Sequence, residues 1–229
     1  MANIVALSIQ RLKAKHSLIN MHIYLSETLK IILIIVTAVA IVLIVGCLLY
    51  FPLKRRWMMK HYGEAYYRTV KNIAHDEDYY LINKFVYHTG DKKRAMIDHI
   101  IFADKYIYLI SSYYFDGDIT GDKGDQSLIL YPKNGKKIYI KNPLVQSKYL
   151  LDQLNYSTDL DKSLFICVAL INDSVNLTLN GDGKQFYIIQ NKKLKALIKA
   201  IESRDIDPMD DELLKKCVDA FSVNNRRID

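Results

Sequence analysis

The chain has 229 residues, a formal net charge of +7 and 50% apolar residue types. That length is enough for one membrane anchor and one domain of ordinary size. Cys47, Cys167 and Cys217 stand too far apart to make a disulfide framework or a paired-cysteine metal site, which suits a reducing compartment.

The basic excess is divided along the chain. Residues 1–53 hold Arg11, Lys13, Lys15 and Lys30 against Glu27, which leaves +4 on the remainder. A mild excess of this kind is compatible with a polyanionic partner without specifying one.

Residues 31–53, "IILIIVTAVAIVLIVGCLLYFPL", are 23 residues without a charge. As a helix at about 1.5 Å per residue they cover roughly 34 Å, enough to cross a ~30 Å hydrocarbon core. The buried helix of a soluble domain is rarely apolar on every face for so long. A cleaved signal peptide would be shorter and followed by a small-residue cleavage site. The "IVGC" ending at Cys47 resembles a lipoprotein cleavage box. However, "LLYFPLKRR" after it continues the apolar run and then stops it with charge, which favours a spanning helix. The expectation is a single-pass protein of the cell membrane, with the lipid bilayer as a partner.

Lys54, Arg55, Arg56 and Lys60 crowd the C-terminal side of the run, while Lys30 lies near Glu27. The positive-inside rule then places residues 54–229 in the cytoplasm. Arg11, Lys13 and Lys15 oppose that orientation if translation starts at Met1, and not if it starts at Met21. The cluster "KRRWMMK" (54–60) reads as a headgroup-binding flank, with Trp57 at the interface.

After this flank, "GEAYYRTVKNIAHD" carries Ala65, Tyr66, Val70 and Ile73 at helical spacing and predicts an amphipathic helix. "YYLINKFVYH" predicts a strand, and two more are expected at 96–102 and 106–112, reversing at 103–105. "DGDITGDKGDQS" reads as a solvated loop rich in Gly and Asp. "LILY" and "KIYI" flank "PKNGK", whose Asn-Gly marks a hairpin. "NPLVQSKYLLDQLNY" predicts a helix with Pro143 in its first turn. "LFICVALI" predicts a fully buried strand. Weaker strands are expected near 175–179 and at "QFYII", then two helices, "KKLKALIKAIES" and "MDDELLKKCVDAFS", separated by Pro208. "GDGK" (181–184) is a turn before a strand, without the following helix that a phosphate loop requires. The predicted organisation is a lead (1–30), the span (31–53), a basic juxtamembrane segment (54–62), a domain (63–190) and C-terminal helices (191–229). The fold class is α/β (α+β), helices around one central sheet.

The ordered signals "YGEAYYRTVKNI", "MIDHIIFADKYIYLI", "GDITG" and "NPLVQSKYLLDQL" resemble the nuclease-related domain, NERD, over about residues 60–190. The resemblance implies a restriction-endonuclease-like, PD-(D/E)xK type of fold with a central mixed sheet flanked by helices. Hydrolysis of a phosphodiester at Mg²⁺ in such a fold uses carboxylates to hold the ion and a lysine to stabilise charge. Residue by residue, the resemblance maps the first strand carboxylate, also the candidate metal ligand, onto Asp98. A helix carboxylate maps onto Glu64. The E-x-K pair maps onto Ser111 and Tyr113, and neither supplies the chemistry: serine is a weak neutral ligand and a tyrosine with pKa near 10 is no cation. Met96 stands where such domains often carry glutamine.

The expectation is therefore a degenerate catalytic centre. It requires no cofactor, although Asp98 with Glu64 would retain Mg²⁺ loosely. Its ligand class is nucleic acid, held by Lys92, Lys93, Arg94, Lys136 and Lys137. Two alternatives stand beside it. One is an active metal-dependent nuclease whose ligands have migrated to Asp116, Asp118 and Asp122, otherwise a solvated turn. The other is a membrane-tethered protein-interaction module. His61, His75, His88 and His99 share no ligand spacing, and His99 is expected on the strand face opposite Asp98.

Overall fold

The computed structural model describes residues 2–88, 94–133, 135–158, 160–181 and 183–224. It divides into two units, 1–60 and 61–229. Helix α1 (Ala2–Asp76) has non-helical backbone at His61, with φ −122° and ψ 15°, where two helices join. In the first unit, Leu29–Lys54 is 26 residues long and apolar enough to cross a membrane. None of that segment is buried, and the Lys54 ammonium lies 5.5 Å from the ring centre of Tyr50.

The second unit is mixed α/β with two sheets. The larger has the order β1 (Tyr80–His88), β2 (Arg94–Phe102), β3 (Ile107–Tyr113), β7 (Phe165–Ile171), β9 (Phe186–Gln190). The β1–β2 and β2–β3 pairs are antiparallel, whereas β3–β7 and β7–β9 are parallel. This is the expected central mixed sheet. Strand β7, paired on both edges, is buried at every position, as its unbroken apolar run requires.

Both faces of this sheet are covered. On one, Tyr66, Val70 and Ile73 of α1 and Leu194, Ile198 and Ile201 of α3 (Leu194–Glu202) pack on Tyr108, Ile110, Ile166 and Val168. On the other, Leu150, Leu151 and Leu154 of α2 (Pro143–Thr158) join Cys217 and Phe221 of α4 (Asp211–Asn224) against Ile100, Leu109 and Phe165. The Phe221 ring lies 5.1 Å from that of Phe85 and 5.5 Å from that of Phe102. Both C-terminal helices thus belong to the core of the domain. Asp210 accepts from the Leu213 amide at 2.6 Å and so caps the acidic start of α4.

The second sheet has the order β6 (Ile138–Lys141), β5 (Ser127–Pro132), β4 (Gly117–Asp122), β8 (Leu177–Asn180). Strand β4 corrects the reading of "DGDITGDKGDQS" as a loop: Gly117–Asp122 pairs antiparallel with β5 and parallel with β8. Its glycines are a condition of pairing. Gly117 has φ +151°, and a Cβ there would sit 2.1 Å from the carbonyl oxygen of Tyr131. Ile119 supplies the apolar anchor, fully buried among Leu128, Leu130 and Ile171.

The parallel pair β3–β7 leads directly into the parallel pair β4–β8, and one buried side chain fastens the corner. Asn172 accepts the Phe115 amide at 2.9 Å and donates to the Phe115 carbonyl at 3.0 Å and to Ser174 Oγ at 2.6 Å. Both polar halves of the side chain are satisfied, as burial demands.

His99 is the other buried polar group of the central sheet. Its Nδ1 lies 2.8 Å from Asn83 Oδ1 on β1, and its ring stacks on Tyr67 at 6.0 Å. Burial lowers its pKa from the ordinary 6.5, and the Asp98 carboxylate opposes that shift without reversing it. The unfolded chain therefore binds the proton more readily than the folded one. The stabilising contribution is present above pH ~6.5 and is lost as pH falls below it. In melts of the full chain in non-ionic detergent, His99→Gln is expected to flatten the decline of Tm between pH 7.5 and 5.5, by no more than about 1.4 kcal/mol per pH unit. Parallel Tm–pH curves for the two proteins would contradict this account.

Candidate functional site

The end of β3 is where the chain leaves the central sheet. The last residue pair of the β2–β3 ladder on this side is His99 with Ile110. Beyond it the ladder is continued by a side chain: Asp98 Oδ2 accepts the backbone N–H of Ser112 at 2.6 Å. A charged acceptor on an amide makes a short, strong bond. Asp98 thereby holds the end of β3 against β2.

Tyr113 lies beside this carboxylate. Burial pushes its phenol up to about 12, the Asp98 charge adds to the rise, and a hydrogen bond with Ser111 opposes it. The phenol is neutral at physiological pH and carries no charge to offer a phosphate. Its ring stacks on Phe115 at 6.0 Å with 8° between the planes.

Helix α1 adds two tyrosines one turn apart, on one face by their spacing. Tyr66 is almost wholly buried and donates from its hydroxyl to the Tyr113 carbonyl at 3.1 Å. Burial, first, and the Asp173 charge, second, raise its pKa well above the ordinary tyrosine range. Tyr62 meets Tyr66 edge-on at 5.5 Å and Tyr114 at 5.9 Å. The end of β3 thus gathers one carboxylate, Ser111 and an aromatic cluster.

The remaining residues singled out from the sequence are distributed otherwise. Glu64 is exposed on α1, and no interaction among the described residues joins it to Asp98. Asp118 accepts the Asn176 amide at 3.1 Å and Asp122 the Gly124 amide at 2.8 Å, so both serve the corner and turn of β4. Asp116 precedes β4. Lys136 and Lys137 are exposed between β5 and β6. Lys92 and Lys93 lie outside the described residues, and Arg94 opens β2. Tyr62, Tyr114 and Asn172 were not anticipated. The i, i+4 spacing of Tyr62 and Tyr66 beside "SSYYF" was the available signal for the tyrosines.

Mg²⁺ takes six oxygens in near-octahedral geometry and is usually held by one or two carboxylates. Asp98 has one oxygen engaged by an amide, Ser111 is neutral and Tyr113 is protonated. Among the described residues no three His, Cys, Asp or Glu side chains are grouped to hold a metal. The donor set does not fit the ion, and no catalytic step follows from it.

Comparison with known proteins gives one family. No curated protein matches the chain. A protein of unknown function, AF1548, whose crystal structure is solved, is similar at 13% identity over 68% of this chain and 78% of its own, with a TM-score of 0.29. A likeness that loose carries no argument. Residues 60–171 match the family model of the nuclease-related domain. The stretch from the second part of α1 through β7, with Asp98 and the aromatic cluster, therefore matches the nuclease-related domain, NERD.

Proposed function

We propose that this nuclease-related domain is a pseudonuclease, anchored in the cell membrane with its domain in the cytoplasm, that binds nucleic acid without cleaving it. The observation that carries the reading is the use made of Asp98. The carboxylate at the family's metal position is spent on the Ser112 amide at 2.6 Å, and beside it a half-buried phenol takes the place of the lysine. Water activation and charge stabilisation at a phosphodiester both lack their groups.

Binding does not need those groups. Aromatic side chains stack on unpaired bases at about 1–3 kcal/mol per base, and lysines contact phosphates. Tyr62 and Tyr114 remain partly exposed at the end of β3, Tyr67 is 37% exposed on α1, and Lys136 and Lys137 are exposed on the β5–β6 hairpin. The ligand favoured by such surfaces is single-stranded. Anchoring rests on the 26-residue apolar helix, and orientation on the basic cluster that follows it.

The isolated activity is expected to be absent: the full chain should not cleave DNA or RNA with Mg²⁺ or Mn²⁺. Loss of one charge-stabilising or general-base group costs about 10²–10⁴ in rate, and here two are replaced. Ser111→Glu/Tyr113→Lys is the informative variant, since cleavage by it alone would show a frame that has lost only its chemistry. Metal-dependent cleavage by the native chain, abolished by Asp98→Ala, would sink the pseudonuclease reading and return the migrated-ligand alternative. Failure of the native chain to retard a single-stranded oligonucleotide would favour the protein-interaction module.

Orientation is read separately. A periplasm-active phosphatase fused after Asp229 is expected to stay silent, and high phosphatase activity would place the domain outside.

A further inference from the structure

The domain has a cleft that the nuclease comparison does not use. Its cavity, about 430 Å³, falls within the range of small-molecule sites. It lies between the β4–β5 turn, the start of α2 and the turn before β9, and shares no residue with Asp98, Ser111 or Tyr113. Each of these three segments contributes a lysine: Lys123, Lys148 and Lys184. Leu144 and Phe186 line it as well.

Among the described residues no Asp or Glu lines the cleft, and none of its three lysines forms an ion pair. Other lysines of the domain do pair: Lys162, Lys195 and Lys199 each sit within 4 Å of a carboxylate, at 2.7, 2.6 and 3.2 Å. On the same turn, Asp122 accepts the Gly124 amide at 2.8 Å. Three like charges facing one cavity repel each other, a cost that a bound anion removes.

The amides at the start of α2 are not part of the attraction. The Leu144 N–H goes to Asn142 Oδ1 at 3.0 Å and the Val145 N–H to the Asn142 carbonyl at 3.2 Å. Asn142 also donates to the carbonyls of Lys123 and Asp125, at 3.0 and 2.7 Å, and so fixes the β4–β5 turn against the helix. The opposite wall is equally constrained. A Cβ at Gly183 would fall 2.3 Å from the Phe186 carbonyl, so the backbone closes tightly there and brings Lys184 to the rim. Helix α2 supplies the third wall and Lys148.

We propose that this cleft binds a phosphorylated small molecule of the nucleoside diphosphate class. The phosphates lie among Lys123, Lys148 and Lys184, and the base lies against Phe186 and Leu144. Lysine acts on phosphate as a compact, flexible point charge, which suits a site assembled from three separate segments. An anion without an apolar part would leave the Phe186 wall unused. The inference rests on the cavity and its lysines, and does not depend on the pseudonuclease reading.

The test is calorimetric titration of the full chain in non-ionic detergent with ADP, pyrophosphate and adenosine. ADP is expected to bind with Kd below about 1 mM, tighter than either fragment. Lys148→Glu/Lys184→Glu should weaken ADP by at least about tenfold, and Lys148→Gln/Lys184→Gln by less. Lys215→Glu/Lys216→Glu, an equal charge change on exposed α4 positions, should leave it within about twofold. Unliganded melts of each variant separate loss of the site from loss of the fold, and the Gln pair serves if the Glu pair unfolds. No ADP binding by the native chain, or equal binding by a folded Lys148/Lys184 variant, overturns the site. Pyrophosphate binding as tightly as ADP overturns the nucleoside assignment. A single-stranded oligonucleotide displacing ADP at a tenth of its phosphate concentration overturns the small-molecule assignment and gives the cleft to the polymer.

Discussion

A strand buried at every position must have both edges hydrogen-bonded and both faces covered, and β7 imposes those terms on the whole domain. Its edges are met by β3 and β9, both parallel to it. Its faces are met by α1 and α3 on one side and by α2 and α4 on the other. Parallel pairing also commits the exits. β3 and β7 end side by side, at Tyr113 and Ile171, and the chain leaves both into the second sheet as a second parallel pair. Asn172 ties these exits together through the Phe115 backbone.

The candidate site is a consequence of that exit. Where β3 turns away from β2, its amides lose their ladder partners and a substitute acceptor is needed. Asp98 supplies it for Ser112, a hydrogen bond to a charged group that contributes about 1.5–3 kcal/mol. A carboxylate in this place has two possible employments, as ligand to a cation or as acceptor for the departing strand. The structure shows the second: Asp98 Oδ2 accepts the Ser112 amide. Tyr113 then extends an aromatic cluster with Phe115, while Tyr62 and Tyr66 of α1 close over the same end of the sheet.

Legibility in the sequence followed the physics of each segment. "LFICVALI" and "MDDELLKKCVDAFS" announce a buried strand and a capped amphipathic helix because burial itself writes their patterns. Strand β4 was hidden because its composition is that of a turn. One isoleucine anchors it, while Gly117 and Gly121, at φ +151° and +148°, take backbone conformations closed to other residues. Asp118 accepts the distant Asn176 amide and Asp122 the nearby Gly124 amide. Asp98 stood out as an acid inside an apolar strand, and the resemblance pointed to Ser111 and Tyr113 beside it. Its actual partner, a backbone amide, has no sequence signature. The lysine cleft was equally invisible, since Lys123, Lys148 and Lys184 come from segments that only the sheet and α2 bring together.

The central claim is that Asp98 works as a strand acceptor and not as a metal ligand. Melting the native chain and Asp98→Ala, each with EDTA and with millimolar Mn²⁺, tests it most directly. The account predicts a native Tm indifferent to Mn²⁺ and a loss of about 1.5–3 kcal/mol in Asp98→Ala that is the same in both conditions. A native Tm raised by Mn²⁺, with the rise abolished in Asp98→Ala, would contradict it.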